Sequence, residues 1–238
     1  MEIDRHHPVI EFPLRGEWAV VHSPAHHRYA FDFAAIGGPK KKLFSTPLLS
    51  LLIGKASASD SYSWCVPVYA PYDGEIVRAS DDWPDRTRLN LWRDAFKVLR
   101  TSLFLDRVEQ NLRAFAGNYI VIRTGTVYTL MAHLRYESLT VHTGQQIQCG
   151  EVIGNVGNFG NSLAPHLHFQ VMDGADMFKS QILPFRFRRY ERWNGSAWEM
   201  VQDGIPEKGE RIRVLAAHCN DFTSQGSCPA AYPSRMRT

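Results

Sequence analysis

The run His166-Leu167-His168-Phe169-Gln170-Val171 constrains the chain more tightly than any other stretch. Successive side chains of a β-strand point to opposite faces. Leu167, Phe169 and Val171 therefore form one apolar face that must lie against a core, while His166, His168 and Gln170 share the other. Such a strand needs neighbouring strands and a packed layer behind it. Its polar face sets a second requirement. A buried imidazole without a partner is costly, so two together call for a metal, a carboxylate or solvent. A His-x-His pair by itself is a common surface pattern, and its meaning depends on what other donors the chain supplies.

The rest of the chain reads as mainly β. Short strands are predicted at Trp18 to His22 and Tyr29 to Phe33, then along Val66 to Ala79 with Pro71-Tyr72-Asp73-Gly74 as a turn. Further strands are predicted at Asn118 to Arg123, Val127 to Leu134, Ile147 to Gln148, Val152 to Val156 and Gly209 to Leu215, with a hairpin at Trp193 to Trp198. One segment breaks the rhythm. Leu89, Trp92, Phe96, Leu99 and Leu103 recur at helical spacing, and Phe104, Val108, Leu112 and Phe115 continue the stripe, which predicts a helical insertion at about 82–116. The expected organisation is a β domain over 1–190 carrying that insertion, followed by a C-terminal β extension and tail over 191–238.

Composition narrows the function classes. A length of 238 residues, 44% hydrophobic and 21% charged, suits one sizeable soluble domain with additions. A net charge of +3 favours an anionic polymer but is too small, without a recognition motif, to argue for nucleic acid. The most apolar stretch, Leu43 to Ile53, is broken by Ser45, Thr46, Pro47 and Ser50, so no integral membrane segment is expected. The first ten residues do not read as a signal peptide. The spacing of Cys65, Cys149, Cys219 and Cys228 fits no zinc ribbon or redox pair. Cys219 and Cys228 flank a polar tail loop and either pair in an oxidising compartment or stay as isolated thiols.

Further donors are present. His133 sits in the strand-like Thr129-Leu130-Met131-Ala132-His133-Leu134. Asp32 lies in Tyr29-Ala30-Phe31-Asp32-Phe33, an aromatic setting that excludes a carboxylate unless it has a partner, and His26 and His27 stand just before it. Two imidazoles and one carboxylate are a standard ligand set for catalytic zinc, with a fourth position left to water. Two more histidines remain for proton transfer and charge stabilisation. His6, His7, His142 and His218 have no such context.

At this point the chain resembles the M23 metallopeptidase family of lysostaphin/LytM type. Tyr69-Ala70-Pro71-Tyr72-Asp73-Gly74-Glu75-Ile76-Val77 resembles that family's APADGxV strand, and Gly117-Asn118-Tyr119-Ile120-Val121-Ile122 its GNYVVI strand. Met131-Ala132-His133-Leu134 is similar to YAHL. Val141 to Gly154 resembles the glycine-marked VxxGxxVxxGxxIG hairpin. Gly157-Asn158-Phe159-Gly160-Asn161-Ser162 with Pro165-His166-Leu167-His168-Phe169 resembles GNTGNSxxPHLHF. The resemblance runs in order from about Trp18 to Phe187, interrupted by the insertion, and implies an antiparallel LytM-like sheet.

It also implies one Zn2+ per chain held by Asp32 and His168, with His133 and His166 as the catalytic histidines. The first histidine ligand is left open. The family pattern His-x-x-x-Asp would place it at Arg28, so the connecting loop must differ. Strand parity favours His26, a bulge favours His27, and His22 is a more distant option. The activity implied is hydrolysis of peptide bonds in bacterial peptidoglycan, in a periplasmic or extracellular setting. The alternative is a non-catalytic LytM-like scaffold that activates another cell-wall hydrolase.

Overall fold

The computed structural model describes residues 7–21, 26–90, 92–93, 96, 115–160 and 162–215. In chain order the elements are β1 (Val9–Ile10), β2 (Gly16–Val21), β3 (Ala30–Ala35), α1 (Leu48–Leu52), β4 (Ala56–Ser57), β5 (Pro67–Tyr69), β6 (Gly74–Ser80) and β7 (Arg88–Leu89). They continue with β8 (Asn118–Thr124), β9 (Val127–Leu134), β10 (Gln146–Ile147), β11 (Val152–Asn155), β12 (Leu167–Met172), β13 (Arg186–Trp193), β14 (Trp198–Gly204) and β15 (Arg211–Val214). No helix among the described residues is long and apolar enough to cross a membrane.

One large sheet runs β1-β13-β15-β2-β3-β12-β9-β8-β6-β10, with β14 on the other side of β13. β5 and β11 form a small separate ladder, as do β4 and β7. The chain is mainly β, as its alternating patterns predict. β13 runs across position 190, and β15 pairs with β2, so strands of the C-terminal stretch join the same sheet as the N-terminal ones.

The alternation in β12 is realised as two different buried faces. Leu167, Phe169 and Val171 belong to the main core, with Phe12, Phe31, Phe33, Phe185 and Phe187. The Phe169 ring lies 5.4 Å from that of Phe185 and 5.6 Å from that of Phe187. On the opposite face Met172 joins a smaller cluster with Leu130, Ala132, Tyr119 and Val121. β12 is thus covered on both sides, which fixes its register: His168 stands opposite Asp32 on β3 and opposite Ala132 on β9. Removing the anchor of the apolar face should be expensive. Phe169→Ala is expected to cost about 3–5 kcal/mol in a chemical denaturation experiment; a cost under ~1 kcal/mol would mean that Phe169 does not hold this strand.

Two details depart from the sequence pattern. Leu89, the first residue of the expected helical stripe, is in β7, pairs with Ala56 and is buried against Leu51 and Ala56. Residues 82–90 are not helical. Pro84 lacks an N–H, and the Asp81 and Asp85 carboxylates bond to loop backbone rather than capping a helix. Trp92, Arg93, Phe96, Phe115 and Ala116 are helical, while Leu99, Leu103, Phe104, Val108 and Leu112 lie outside the described residues. Cys65 and Cys149 are both disulfide-bonded, and Cys219 and Cys228 lie outside the described residues.

Candidate metal centre

The site is built where β3, β12 and β9 lie side by side. Asp32 and His168 are direct cross-strand partners, a placement that brings side chains on one face within about 5.5 Å at Cβ. His168 Nδ1 lies 2.9 Å from Asp32 Oδ1. His168 Nε2 lies 3.0 Å from Gln170 Oε1, and Gln170 Nε2 donates to Met172 Sδ at 3.0 Å. With its amide turned this way, Gln170 accepts from an Nε2–H of His168. The Nδ1 lone pair then faces a carboxylate oxygen, an arrangement that needs a proton or a cation between the two.

His26 completes the cluster. Its Nδ1 lies 3.2 Å from Asp32 Oδ2, and its ring meets that of His168 edge to face with centroids 5.0 Å apart. His27 points elsewhere: it is exposed, and its Nδ1 accepts from Tyr29 N at 3.3 Å. A turn closed by Ala30 N donating to His27 O at 2.9 Å separates the two histidines from β3. That turn accounts for the longer spacing to Asp32. The structure therefore brings His26, and not His27, to Asp32 and His168. His22 lies outside the described residues.

The donor set fits a zinc ion. One ligand atom each from His26, Asp32 and His168 falls within 4.8 Å of the others. Tetrahedral zinc, about 2.0–2.1 Å from N and O ligands, needs neighbouring ligand atoms about 3.3 Å apart, so small rotations suffice.

His133 reaches the same cluster by an irregular route. On β9, Val127 and Met131 face the main core, while Leu130 and Ala132 face the smaller cluster. Continued alternation would send His133 into the main core. Instead the β8–β9 register shifts, Asn118 pairing with Leu134 and Tyr119 with Ala132, which leaves His133 as a bulged residue. Its φ is +61°, and Leu134 takes the core position. A bulge of this kind re-aims one side chain. A non-glycine residue in the left-handed region costs about 1 kcal/mol or more and must be held by its surroundings. Here His133 Nδ1 donates to Phe159 O at 2.7 Å. The His133 ring lies 4.6 Å from that of His166 and 6.0 Å from that of His168.

His166 stands just before β12. Its Nδ1 donates to Ala164 O at 2.8 Å and lies 3.2 Å from Ser162 Oγ. A carbonyl only accepts, so Nδ1–H is fixed in both His133 and His166, and each Nε2 is left for the pocket. His166 Nε2 lies 3.5 Å from Asp32 Oδ1.

The Asp32 carboxylate and the imidazoles around it set one another's protonation. Burial alone would raise the Asp32 pKa, but His166 and His168 outweigh it and hold the carboxyl well below its usual range. Burial, followed by the neighbouring His166 and His168, pushes the His133 pKa well down. Burial would lower that of His166 too, but Asp32 beside it wins and raises it.

Several partners escaped sequence reasoning. Gln170 shared a face with the histidines, so a positioning role was visible in principle. The carbonyls of Phe159 and Ala164 carry no side-chain signal. The loop that supplies them depends on glycine. A Cβ at Gly160, where φ is +81°, would meet Phe115 O at 2.5 Å, and one at Gly157 would meet Arg135 Cα at 2.4 Å.

Residues 107–180 match the family model described as Peptidase family M23. Among curated proteins, the peptidoglycan DD-endopeptidase ShyA of Vibrio cholerae serotype O1 is 38% identical over 58 residues, covering 24% of this chain and 13% of the relative. The peptidoglycan DD-endopeptidase ShyC of the same organism is 34% identical over 58 residues, with the same coverage. The match thus spans about an eighth of these relatives' length. Among solved structures, lysostaphin from Staphylococcus simulans aligns at 20% identity with a TM-score of 0.39, over 69% of this chain and 47% of that one. A zinc containing peptidase from Vibrio cholerae aligns at 19% identity with a TM-score of 0.34, over 77% and 39%.

Proposed function

We propose that this chain, whose residues 107–180 match the model of peptidase family M23, is a zinc metalloendopeptidase that hydrolyses peptide bonds of bacterial peptidoglycan. The observation that carries the reading is the convergence of two sets of groups on one pocket. His26, Asp32 and His168 form a ligand cluster, and His133 and His166 present Nε2 atoms to the same space. A scaffold protein has no need for the second set. The DD-endopeptidase relatives support cell-wall stem peptides as the substrate class.

His26 Nδ1, an Asp32 oxygen and His168 Nδ1 would hold zinc, with Gln170 fixing the His168 tautomer. When bound, zinc supplies a Lewis acid that polarises a scissile carbonyl and acidifies water. The remaining work falls to the chain. His166 Nε2 lies nearest the ligand cluster, so it takes the water proton as general base. His133 lies beyond His166, kept neutral at rest by burial and by its imidazole neighbours. With Nδ1–H committed to Phe159 O, it stabilises negative charge on the carbonyl oxygen only once its Nε2 also carries a proton, as the imidazolium. One of the pair then returns a proton to the leaving amine. The Nδ1–H bonds to Phe159 O and Ala164 O orient both rings before substrate arrives.

Disulfide bonding of Cys65 and Cys149 suits an oxidising compartment, which supports a periplasmic or extracellular site of action.

The test uses a synthetic muropeptide dimer joined by a D,D-crosslink, together with metal analysis of purified variants. Wild-type protein is expected to hold one zinc per chain and to release monomers with a new amine. His26→Ala should lose both metal and turnover, and His27→Ala should keep both. Equal zinc content in His26→Ala and His27→Ala would remove His26 from the ligand set.

A further inference from the structure

After β6 ends at Ser80, the first residues of the insertion do not leave the sheet directly. They run between the two loops that carry the catalytic histidines. Asp81 Oδ2 accepts from Leu139 N at 2.9 Å. Trp83 N donates to Asn118 Oδ1 at 3.0 Å, Trp83 O accepts from Asn118 Nδ2 at 2.8 Å, and the indole lies 5.0 Å from the Phe159 ring. Arg86 N donates to Asn158 O at 3.1 Å, Arg86 O accepts from Asn158 Nδ2 at 2.8 Å, and the guanidinium donates to Ser162 O.

Asp85 joins the two loops through a single carboxylate. Its Oδ2 accepts from Tyr136 N at 2.8 Å, three residues after His133. Its Oδ1 accepts from Asn158 N at 2.6 Å, one residue before Phe159, whose carbonyl takes the His133 Nδ1–H. The packing leaves no slack, since a Cβ on Gly157 would meet Asp85 Oδ1 at 2.6 Å. The chain of contacts continues through Asn158 Oδ1 to Ser162 Oγ at 3.3 Å, and Ser162 Oγ lies 3.2 Å from His166 Nδ1. His133 itself sits on a bulge at positive φ, a conformation that persists only when neighbouring structure determines it.

We propose that Asp85, supplied by the insertion, is a positioning residue for the catalytic pair: by clasping Tyr136 N and Asn158 N it fixes the distance between the His133 bulge and the Phe159 carbonyl that orients its ring. Residues 81–86 are thereby part of the active site's support. The claim rests on the peptidase reading for its kinetic consequence, but its structural consequence stands apart. Asp85 touches neither the ligand cluster nor the reacting atoms.

The test compares wild-type protein with Asp85→Asn, which keeps one acceptor oxygen, and Asp85→Ala, which keeps none. Zinc content, kcat and KM on the crosslinked dimer, and the His133 Nδ1–H resonance in selectively 15N-labelled protein are measured together. Misplacing a catalytic group by about 1 Å can cost about 10²-fold. Asp85→Ala is therefore expected to lower kcat by about that factor, with KM and zinc content unchanged and the His133 Nδ1–H signal broadened or lost. Asp85→Asn should fall between the two. Unchanged kcat and an unchanged His133 resonance in folded Asp85→Ala would overturn the proposal, as would parallel loss of zinc. If Asp85→Ala does not fold, Asp85→Asn decides by the same criteria. If wild-type protein has no turnover, the peptidase reading fails while the His133 resonance still decides the clasp.

Discussion

Replacing His166 with alanine is expected to lower kcat by about 10²–10⁴-fold while leaving one zinc per chain, the range attributable to a positioned general base. The expectation follows from where the ring's two nitrogens are committed. Nδ1 is held by Ala164 O at 2.8 Å, so it has no part in proton traffic. Nε2 lies 3.5 Å from Asp32 Oδ1, close to the ligand cluster, although His166 does not belong to that cluster. Its removal therefore takes away proton transfer and leaves the three metal-holding groups in place. The same logic applies to His133, whose Nδ1 is tied to Phe159 O at 2.7 Å. Steady-state kinetics and metal analysis on the same preparation check both. If His166→Ala lost its zinc, His166 would be a ligand and its assignment as general base would be wrong.

Asp32→Ala should have a larger effect and a different signature. Asp32 is the carboxylate on which three imidazoles converge: His26 Nδ1 at 3.2 Å, His166 Nε2 at 3.5 Å and His168 Nδ1 at 2.9 Å. It is also the one anionic donor in the cluster, so its loss removes the group that best offsets the charge of a divalent ion. Zinc content is expected to fall below about a tenth of an ion per chain after dialysis, and turnover is expected to vanish with it. Adding zinc at millimolar concentration should not restore wild-type kcat, because the His166 partner is lost as well. Full zinc occupancy in Asp32→Ala would show that the metal is held elsewhere.

Much of this was legible in the sequence, and what was hidden has physical reasons. β12 declared itself because a two-residue period with apolar residues on one side has few other solutions. β13, with Arg186, Arg188, Arg189 and Arg192, was not anticipated. Its buried residues are Phe187 and Tyr190, which break the two-residue period. Leu89 fitted a helical stripe by spacing, but its backbone is spent on Ala56, a long-range pairing that local pattern cannot show.

At the site, the alternative between His26 and His27 stayed open because it turns on a backbone turn closed by His27 O, not on side-chain type. His133 was found as a residue but not as a conformation. Its positive φ depends on a register shift against Asn118 and Tyr119, strands apart from the motif that marks it. Asp85 was invisible for a related reason. It bonds to backbone N–H groups of Tyr136 and Asn158, and backbone donors leave no trace in side-chain patterns.

The central claim is that the three-ligand cluster and the histidine pair together cut cell-wall peptides. Its most direct test is digestion of intact peptidoglycan sacculi by wild-type protein, with and without a chelator and with zinc restored, the released fragments being identified by mass spectrometry. The predicted result is new peptide termini at one bond type, absent with chelator and recovered on zinc addition. Release of the same termini in the presence of chelator, or release of none from several wall types by zinc-loaded protein, would contradict it.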